Sequence, residues 1–253
     1  MTKRLNILGI SVDNLSLAQT SELIIGWVKE RRLDPQAPQR FVVTANPEYI
    51  MAAYRNPTFL NLVNSADLVT ADGIGIILAG KILAKPFQAR VTGVALAEKL
   101  FSQSAQHSLR LFLLGATEGT AELAAAKLKE EYPGILIVGT FAGSPDTKDD
   151  QAAVERIQAS QADIIMVAYG IGKQDWWTAR NLKKSGASVA IGIGGVLDYK
   201  AGIIPLASER VRRLGLEWAY RLYREPWRWR RQLALPRFAA HVILHRFQKH
   251  GSE

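Results

Sequence analysis

Short apolar runs alternate with amphipathic helical patterns along most of the chain. The apolar runs, each typical of a buried strand, are LNILGISV, RFVVTA, ADLVTA, LRLFLLG, ILIVGTFAG, ADIIMVAYG and SVAIGIGG. Patterns of helical period, roughly 10–15 residues long, separate most of these runs. Strands that alternate with helices of this length are typical of βαβ units. The sequence therefore predicts an α/β fold, a Rossmann-like and mainly parallel sheet with helices on both faces.

Several predicted helices carry recognisable start signals. Ser16 and Gln19 have the spacing of a capping box at the start of SLAQTSELIIGWVKERR. Asn46 and Pro47 are typical of the N-cap and the first position of a helix covering NPEYIMAAYRNPTFLNLVN. Further helices are predicted over 73–84, 149–160 and 174–184.

Polar side chains and glycines recur at the positions where predicted strands end. They are Thr44, Asn46, Asp72, Gly115, Gly143, Gly170, Gly194 and Gly195. Ligands of doubly wound sheets bind beyond the carboxyl ends of the strands, so these positions predict one site. Each also has a local explanation, because glycine permits tight turns and Asn or Asp caps helices. For Asp72 in TADGIG the local explanation is an N-cap of the following helix.

Composition fits one large α/β domain, or a domain with an appendage. The chain has 253 residues, of which 48% are hydrophobic, and it has no cysteine. Disulfides, thiolate metal sites and cysteine nucleophiles are therefore excluded. The N-terminal apolar run is too short for a signal peptide, and no stretch of about 18 apolar residues is present to span a bilayer. We expect a cytoplasmic protein.

The positive charge is concentrated at the C-terminal end. Of the net +9, residues 206–253 contribute 11 Lys and Arg against 4 Asp and Glu, and residues 1–205 contribute 21 against 19. Three of the six Trp and three of the four His also lie in 206–253. We predict a catalytic domain over 1–205 and a basic, helical appendage over 206–253. Such an appendage indicates an anionic partner: phosphate, nucleic acid or a membrane surface.

Several common chemistries are absent from the sequence. LLGATEGT lacks the full G-x-G-x-x-G fingerprint of a dinucleotide site, and no G-x-S-x-G elbow is present. His107 is the one histidine before the basic end, and no D-x-D motif occurs, so we predict neither a metal site nor a cofactor. The polar residues that remain as candidates for catalysis are Thr44, Asn46, Asp72, Arg90 and Gln174.

Six motifs together resemble the WecG/TagA/CpsF family of glycosyltransferases, over nearly the whole chain. They are TANPEYI, NSADLVTADGIGI, RVTG, YGIGKQD, GIGGVLDYKAG and LGLEWAYRLYREPWRWRR. The resemblance implies a Rossmann-like fold of the type called GT-E and an inverting, metal-independent reaction. It also implies a UDP-sugar donor, commonly of the N-acetylmannosamine type, and a polyprenyl-diphosphate-linked sugar as acceptor, in cell-surface polysaccharide or teichoic acid synthesis.

The resemblance assigns roles to individual residues. Asp72 takes the place of the general base, Arg90 and Gln174 lie near the donor, and Thr44 and Asn46 line the acceptor side. Residues implied to bind the UDP-sugar are Gly73, Gly115, Gly143, Gly170, Lys173, Gly194, Gly195 and Asp198. For Asp198 the implied role is a hydrogen bond to ribose or uracil.

The chain departs from the family pattern at three places. Gly172 and Asp175 stand where family members often carry Pro and Glu. Ser144 and Pro145 follow the glycine after which many members have an aromatic residue able to stack on a base. IIPLAS replaces K-x-x-R-A-P, with the loss of a basic residue. These departures affect donor recognition most directly.

Arginines in the basic end recur three or four residues apart, at Arg221, Arg224, Arg228 and Arg231, and Pro226 predicts the start of a new helix between them. Three nearby Trp residues favour a membrane interface over an ordinary solvated face. By the resemblance, Arg221, Arg228 and Arg231 hold the acceptor diphosphate. We expect attachment to the anionic inner face of the cell membrane, and a homo-oligomer is compatible with the family.

The competing hypothesis is a non-enzymatic α/β module that binds nucleic acid or another polyanion through its basic end. That hypothesis leaves TADGIG, TANPE and RVTG without a role. We therefore expect an enzyme, with no nucleic-acid partner.

Overall fold

The computed structural model describes residues 3–250, and the side chains of residues 3–248. Within this range there are eight strands. They are β1 (Arg4–Ile7), β2 (Ile10–Asp13), β3 (Arg40–Ala45), β4 (Leu68–Ala71), β5 (Arg110–Gly115), β6 (Leu136–Phe141), β7 (Ile164–Ala168) and β8 (Val189–Gly192).

Helices separate the strands and form the C-terminal end of the described chain. They are α1 (Leu17–Leu33), α2 (Pro47–Tyr54), α3 (Pro57–Asn64), α4 (Ile74–Ile82), α5 (Gly93–His107), α6 (Thr120–Glu131), α7 (Asp150–Ser160), α8 (Lys173–Ser185), α9 (Val196–Lys200), α10 (Glu209–Arg213), α11 (Glu217–Arg224), α12 (Trp229–Gln232) and α13 (Ala234–His250). Short 3₁₀ turns occupy Thr147–Asp149 and Pro226–Arg228.

Six of the strands form a parallel sheet in the order β4-β3-β8-β7-β5-β6. The α/β fold with a parallel sheet and flanking helices is therefore confirmed. Because all six strands run the same way, their carboxyl ends lie at one edge of the sheet. Four of them, β4, β3, β8 and β7, are consecutive neighbours, and β5 and β6 complete the sheet on one side.

The sheet is buried on both faces, which explains why its strands appear as continuous apolar runs. Alternate residues of each strand enter different cores, as the period of two requires. Val43 and Val69 pack in a first core with residues of α2, α4 and α8, whereas Val42 and Leu68 pack in a second core with residues of α1, α5 and α6.

The predictions for two regions are wrong in detail, because each region contains two elements and not one. LNILGISV is not one strand but the antiparallel hairpin β1–β2, in which Leu8 and Gly9 turn the chain with φ of 50° and 96°. The predicted helix from Pro47 is two helices, α2 and α3. Asn56 precedes a proline, which disfavours helical backbone, and its side chain caps α3 by accepting the N–H of Phe59 at 3.0 Å.

The predicted start signals are confirmed. The side chains of Ser16 and Gln19 form a reciprocal capping box on α1. Asn46 caps α2 by accepting the N–H of Tyr49 at 2.9 Å, with Pro47 at the first helical position. Pro226 begins a new helical turn.

The C-terminal helices return to the body of the protein. Helix α13 packs against α2 and α4, and its Phe238 and Val242 are 3% and 1% exposed in the first core. The final helix is therefore part of the core, although the division at residues 205 and 206 stays a prediction. Among residues 3–250, none of the helices combines the length and the apolar character needed to span a membrane.

Candidate active site

A cavity of about 620 Å³ opens at the carboxyl ends of β3, β4, β7 and β8. Helices α4, α11 and α13 supply the opposite walls, so the sheet edge and the C-terminal helices enclose it together. This volume is in the range of cavities that bind small molecules.

Asp72 lies in the cavity wall directly after β4. The local interpretation of Asp72 as an N-cap of α4 is wrong, because that cap is Gly73 and it has no side-chain hydrogen bond. The Asp72 carboxylate instead accepts the N–H of Gly93 at 3.0 Å, and Gly93 is the first residue of α5. Asp72 thus joins the end of β4 to the positive end of a different helix.

Burial raises the pKa of the Asp72 carboxyl to about 7. The hydrogen bond from Gly93 opposes this rise, as do the charges of Arg90 and Arg221, whereas the charge of Glu217 adds to it. The side chain keeps part of its surface open to the cavity. A carboxyl group with this pKa is well matched to proton transfer near neutral pH.

The neighbouring predicted residues shape the cavity through backbone hydrogen bonds. The Thr44 hydroxyl donates to the carbonyl of Gly192 at 2.9 Å, and the Gln174 side chain accepts the N–H of Gly194 at 3.2 Å. A Cβ on Gly192 would collide with the Gln174 amide, so the glycine allows this close packing. Thr44, Asn46 and Gln174 all line the cavity.

The residues predicted to bind the donor divide into two groups. Those that line the cavity are Gly73, Gly170, Gly194, Gly195 and Asp198. Those that lie outside its lining are Gly115, Gly143 and Lys173. Gly115 ends β5 and Gly143 follows β6, the two strands beyond β7 in the sheet. Contact of Gly115, Gly143 and Lys173 with the UDP-sugar stays a prediction, and their position outside the cavity lining does not support it.

Arg90 also lies outside the cavity lining. Its guanidinium donates to the carbonyl of Arg212 at 2.6 Å and lies 3.5 Å from the Glu217 carboxylate. Arg90 therefore connects the body to the C-terminal helices, and it acts on Asp72 through its charge.

Three of the four clustered arginines, Arg221, Arg228 and Arg231, line the cavity. Arg224, on the same helix as Arg221, is exposed and lies outside the lining. The guanidinium of Arg221 lies over the ring of Tyr199, 5.3 Å from its centroid. This contact joins α11 to α9, on which Asp198 also lies.

Glu225 and Glu217 are site residues that the sequence did not single out. Glu225 is 7% exposed, and its carboxylate lies 2.8 Å from Nε of Arg228 and 3.5 Å from Nε of Arg221. Its spacing of four and three residues from these arginines was an available signal for helical ion pairs. Glu217 lines the cavity and faces Arg90, a contact between residues distant in sequence.

The departure at Gly172 and Asp175 has a structural explanation. Gly172 has a φ of 79°, which proline does not adopt, and its N–H donates to the Asp175 carboxylate at 2.9 Å. The two residues together form the capping interaction that starts α8. The turn before Gln174 is therefore held by a bond that a proline at position 172 would remove.

Comparison with known proteins identifies the class of enzyme. A model of the glycosyl transferase WecG/TagA/CpsF family matches residues 5–252, and the chain belongs to this family. It is therefore a sugar-transferring enzyme, which sets aside the hypothesis of a non-enzymatic binding module.

Curated relatives support the assignment. The chain is 35% identical over 205 residues to the N-acetylglucosaminyldiphosphoundecaprenol N-acetyl-beta-D-mannosaminyltransferase of Bacillus spizizenii, with 81% of this chain and 79% of that protein covered. A protein of the same name from Staphylococcus aureus is 32% identical over 220 residues, with 87% of this chain and 84% of that protein covered.

Proposed function

We propose that the chain transfers a sugar of the N-acetylmannosamine type, or a related hexose, from a UDP-sugar to a polyprenyl-diphosphate-linked sugar, with inversion and without a metal. The reaction would serve cell-surface polysaccharide or teichoic acid synthesis. The observation that supports it most is one cavity that contains both the Asp72 carboxyl and the arginines of the C-terminal helices. The names of the two relatives, which include both sugars and undecaprenol, point the same way.

Asp72 is the proposed general base. Inversion in a single displacement requires one group to take the proton of the acceptor hydroxyl as that oxygen attacks the sugar. One carboxylate oxygen of Asp72 is held by Gly93, which fixes the group and leaves the other oxygen for the substrate proton. Since the pKa is about 7, a large fraction of Asp72 is ionised at neutral pH and still basic enough to act.

The departing UDP needs groups that stabilise its negative charge. In the part of the chain that the structure describes, no group of three or more His, Asp or Glu side chains is arranged to hold a metal ion. The proposed hydrogen-bond donors to UDP are the backbone N–H groups of Gly170 and Gly195 and the side-chain NH2 of Gln174, whose oxygen already accepts the N–H of Gly194. Asp198 is proposed to bind ribose or uracil from the same wall.

The acceptor diphosphate is proposed to bind Arg221, Arg228 and Arg231. A guanidinium presents paired donors that match phosphate oxygens. Glu225 contacts Arg221 and Arg228 at Nε, and it lies outside the cavity lining. The carboxylate therefore holds the two arginines near each other while their terminal nitrogens can face the substrate.

The test is transfer by the purified full-length chain. UDP-N-acetylmannosamine, UDP-N-acetylglucosamine and UDP-glucose would each be supplied with a polyprenyl-diphosphate-linked N-acetylglucosamine, with and without excess EDTA. We expect transfer from the first donor, with an inverted anomeric centre and no loss of rate in EDTA. Absence of transfer from all three donors would contradict the proposed donor class, and loss in EDTA restored by magnesium would contradict metal independence.

A further inference from the structure

The cavity has two chemically different ends. Asp72, Arg221, Arg228 and Arg231 lie on its polar walls. Where α4 and α13 face each other, every side chain that these two helices contribute to the lining is apolar, within the described residues. The residues that matter here are Leu78, Ala79 and Ile82 of α4 and Leu235, Ala239 and Val242 of α13. We call this part the apolar cleft.

The apolar cleft leads away from the proposed base. Helix α4 begins two residues after Asp72, and Ile74, Leu78 and Ile82 follow each other at intervals of four along one side. With a rise of about 1.5 Å per residue, Leu78 lies roughly 6 Å and Ile82 roughly 12 Å beyond the start of the helix. The stripe therefore extends from the reacting end of the cavity outward.

The side chains of this stripe are incompletely covered. Leu78 is 49% exposed and Ile82 is 40% exposed, although both line a concave site. On the opposite wall Val242 is 1% exposed, whereas the small Ala239 is exposed. An apolar ligand in the cleft would cover the exposed side chains, whereas a sugar or a nucleotide would leave them facing polar groups.

We infer that the apolar cleft binds the first isoprene units of the acceptor lipid, those next to the diphosphate; this inference rests on the proposed function. In such an acceptor, one sugar ring and one diphosphate separate the reacting hydroxyl from the lipid. The lipid therefore begins several bonds away from Asp72, and the apolar cleft extends away from Asp72 along α4. The arginines supply the charge that a diphosphate requires, and the cleft shares a cavity with them. The protein thus selects its acceptor partly by the hydrocarbon and not only by the sugar.

A sugar-free probe tests the cleft directly. Farnesyl diphosphate carries the diphosphate and three isoprene units, and inorganic diphosphate and farnesol each carry one half of it. We expect farnesyl diphosphate to bind the full-length chain about tenfold or more tightly than inorganic diphosphate, measured by calorimetry and by the shift in Tm. Farnesol alone should bind weakly. If farnesol bound as tightly as farnesyl diphosphate, the cleft would be an unspecific apolar pocket and the inference would be wrong.

Variants assign that binding to the cleft. Leu78→Asn introduces a neutral polar group at a half-exposed position, and Ala239→Trp adds a large side chain between α4 and α13. Both should remove the advantage of farnesyl diphosphate over inorganic diphosphate without weakening the binding of inorganic diphosphate. Leu123→Asn is the matched control, because Leu123 is 43% exposed on α6, outside the cavity. An unchanged advantage in both cleft variants would overturn the inference.

Transfer assays separate this inference from the proposed function. N-acetylglucosamine diphosphate would be supplied with a farnesyl tail, with a linear saturated tail of equal length or with a methyl group. We expect the farnesyl acceptor to have the lowest KM, and Ala239→Trp to raise that KM without affecting the methyl acceptor. Equal KM values for all three acceptors in the wild type would refute the inference that the apolar cleft binds isoprene units, and they would not contradict the proposed function. If the enzyme transferred sugar to none of these acceptors, nor to the long-chain acceptor, the proposed function would be refuted. The binding of farnesyl diphosphate would then still test whether the apolar cleft binds isoprene units.

Discussion

Asp72 combines a structural hydrogen bond with a proposed chemical role, and a single substitution separates the two. Asparagine keeps a side-chain oxygen that can accept the N–H of Gly93, so the fold of Asp72→Asn should be preserved. Asparagine cannot take up a proton, so we expect turnover to fall by about 10²–10⁴-fold. Turnover and Tm would be measured on the same preparation. A variant with a near-normal rate would mean that another group is the base.

The pH dependence of the reaction follows from the same carboxyl group. Only ionised Asp72 can accept a proton, and burial raises its pKa to about 7. We expect kcat/KM to rise as the pH increases from 5.5 and to level off above about 8, with a midpoint near 7. The profile would be measured at constant ionic strength, and a flat profile over this range would contradict the assignment.

The stability of the fold should change with pH in the opposite direction. The pKa of Asp72 is higher in the folded chain than the value of about 3.9 expected when unfolded. The folded state therefore holds the proton more tightly, and this contribution is fully present below about pH 4 and lost as the pH rises through about 7. Asp72→Asn should make the free energy of unfolding decline less over this range. Burial also raises the pKa of Asp175 to about 7. Part of the decline in the free energy of unfolding should therefore remain in the Asp72→Asn variant.

At the scale of single elements, local patterns predict the strands of the parallel sheet and the starts of several helices. The strands of the sheet are continuous apolar runs with helices between them, and the caps at Ser16 and Asn46 lie where sequence places them. The β1–β2 hairpin was missed because a turn at Leu8 and Gly9 interrupts an otherwise uniform apolar run. Local signals of this kind do not reveal which strands pair.

The candidate site shows the same limit. Gly115 lies at the end of one apolar run and Gly170 at the end of another, so the sequence pattern treats them alike. The order of the strands distinguishes the two glycines. Among the described strands, β4, β3, β8 and β7 have their carboxyl ends at the cavity, whereas β5, which ends at Gly115, does not. Glu217 and the apolar cleft depend on the C-terminal helices folding back over the sheet edge, a long-range contact that no motif records.

Helix α11 offers a matched pair of arginines for testing acceptor binding. Arg221 lines the cavity, and Arg224, three residues later, does not. Arg221→Glu should raise the KM for the acceptor strongly and leave the KM for the donor almost unchanged, because the reversed charge repels the diphosphate. Arg224→Glu makes the same charge change outside the cavity and should have a small effect. Equal losses in the two variants would indicate a general effect of charge on membrane attachment.

Glu225 should act through the arginines it contacts. Replacing it with Gln removes the charge that holds Arg221 and Arg228 near each other, and the two guanidinium groups then repel. We expect a higher KM for the acceptor, a smaller change in kcat and an unchanged KM for the donor. Glu225→Asp should restore part of the acceptor affinity, which a purely structural defect would not do. A lower KM for the acceptor in Glu225→Gln would instead mean that the carboxylate competes with the diphosphate.

At the scale of the whole molecule, the C-terminal helices cannot be removed without uncovering the body. Phe238 and Val242 of α13 are buried in the first core, so deletion after residue 206 would expose α2 and α4 as well as abolish the arginine cluster. Point substitutions of exposed side chains are the cleaner test of membrane attachment. The exposed large apolar side chains in this part of the protein include Tyr223, Trp227, Trp229, Leu244 and Phe247.

We propose that exposed apolar side chains of the C-terminal helices attach the enzyme to an anionic membrane, where its lipid-linked acceptor would lie. Trp227 is 71% exposed and Trp229 is 54% exposed, among arginines that each contribute about 1 kcal/mol of attraction near such a surface. The full-length chain should sediment with phosphatidylglycerol vesicles at low salt, less at high salt, and little with phosphatidylcholine vesicles. The double substitution Trp227→Ser and Trp229→Ser should weaken sedimentation several-fold, because it removes apolar anchors at headgroup depth. The control is Trp176→Ser, a partly exposed Trp on α8 in the body of the protein. If the double variant sedimented like the wild type while the control did not, the membrane would contact a different face, and the arginines would serve the acceptor alone.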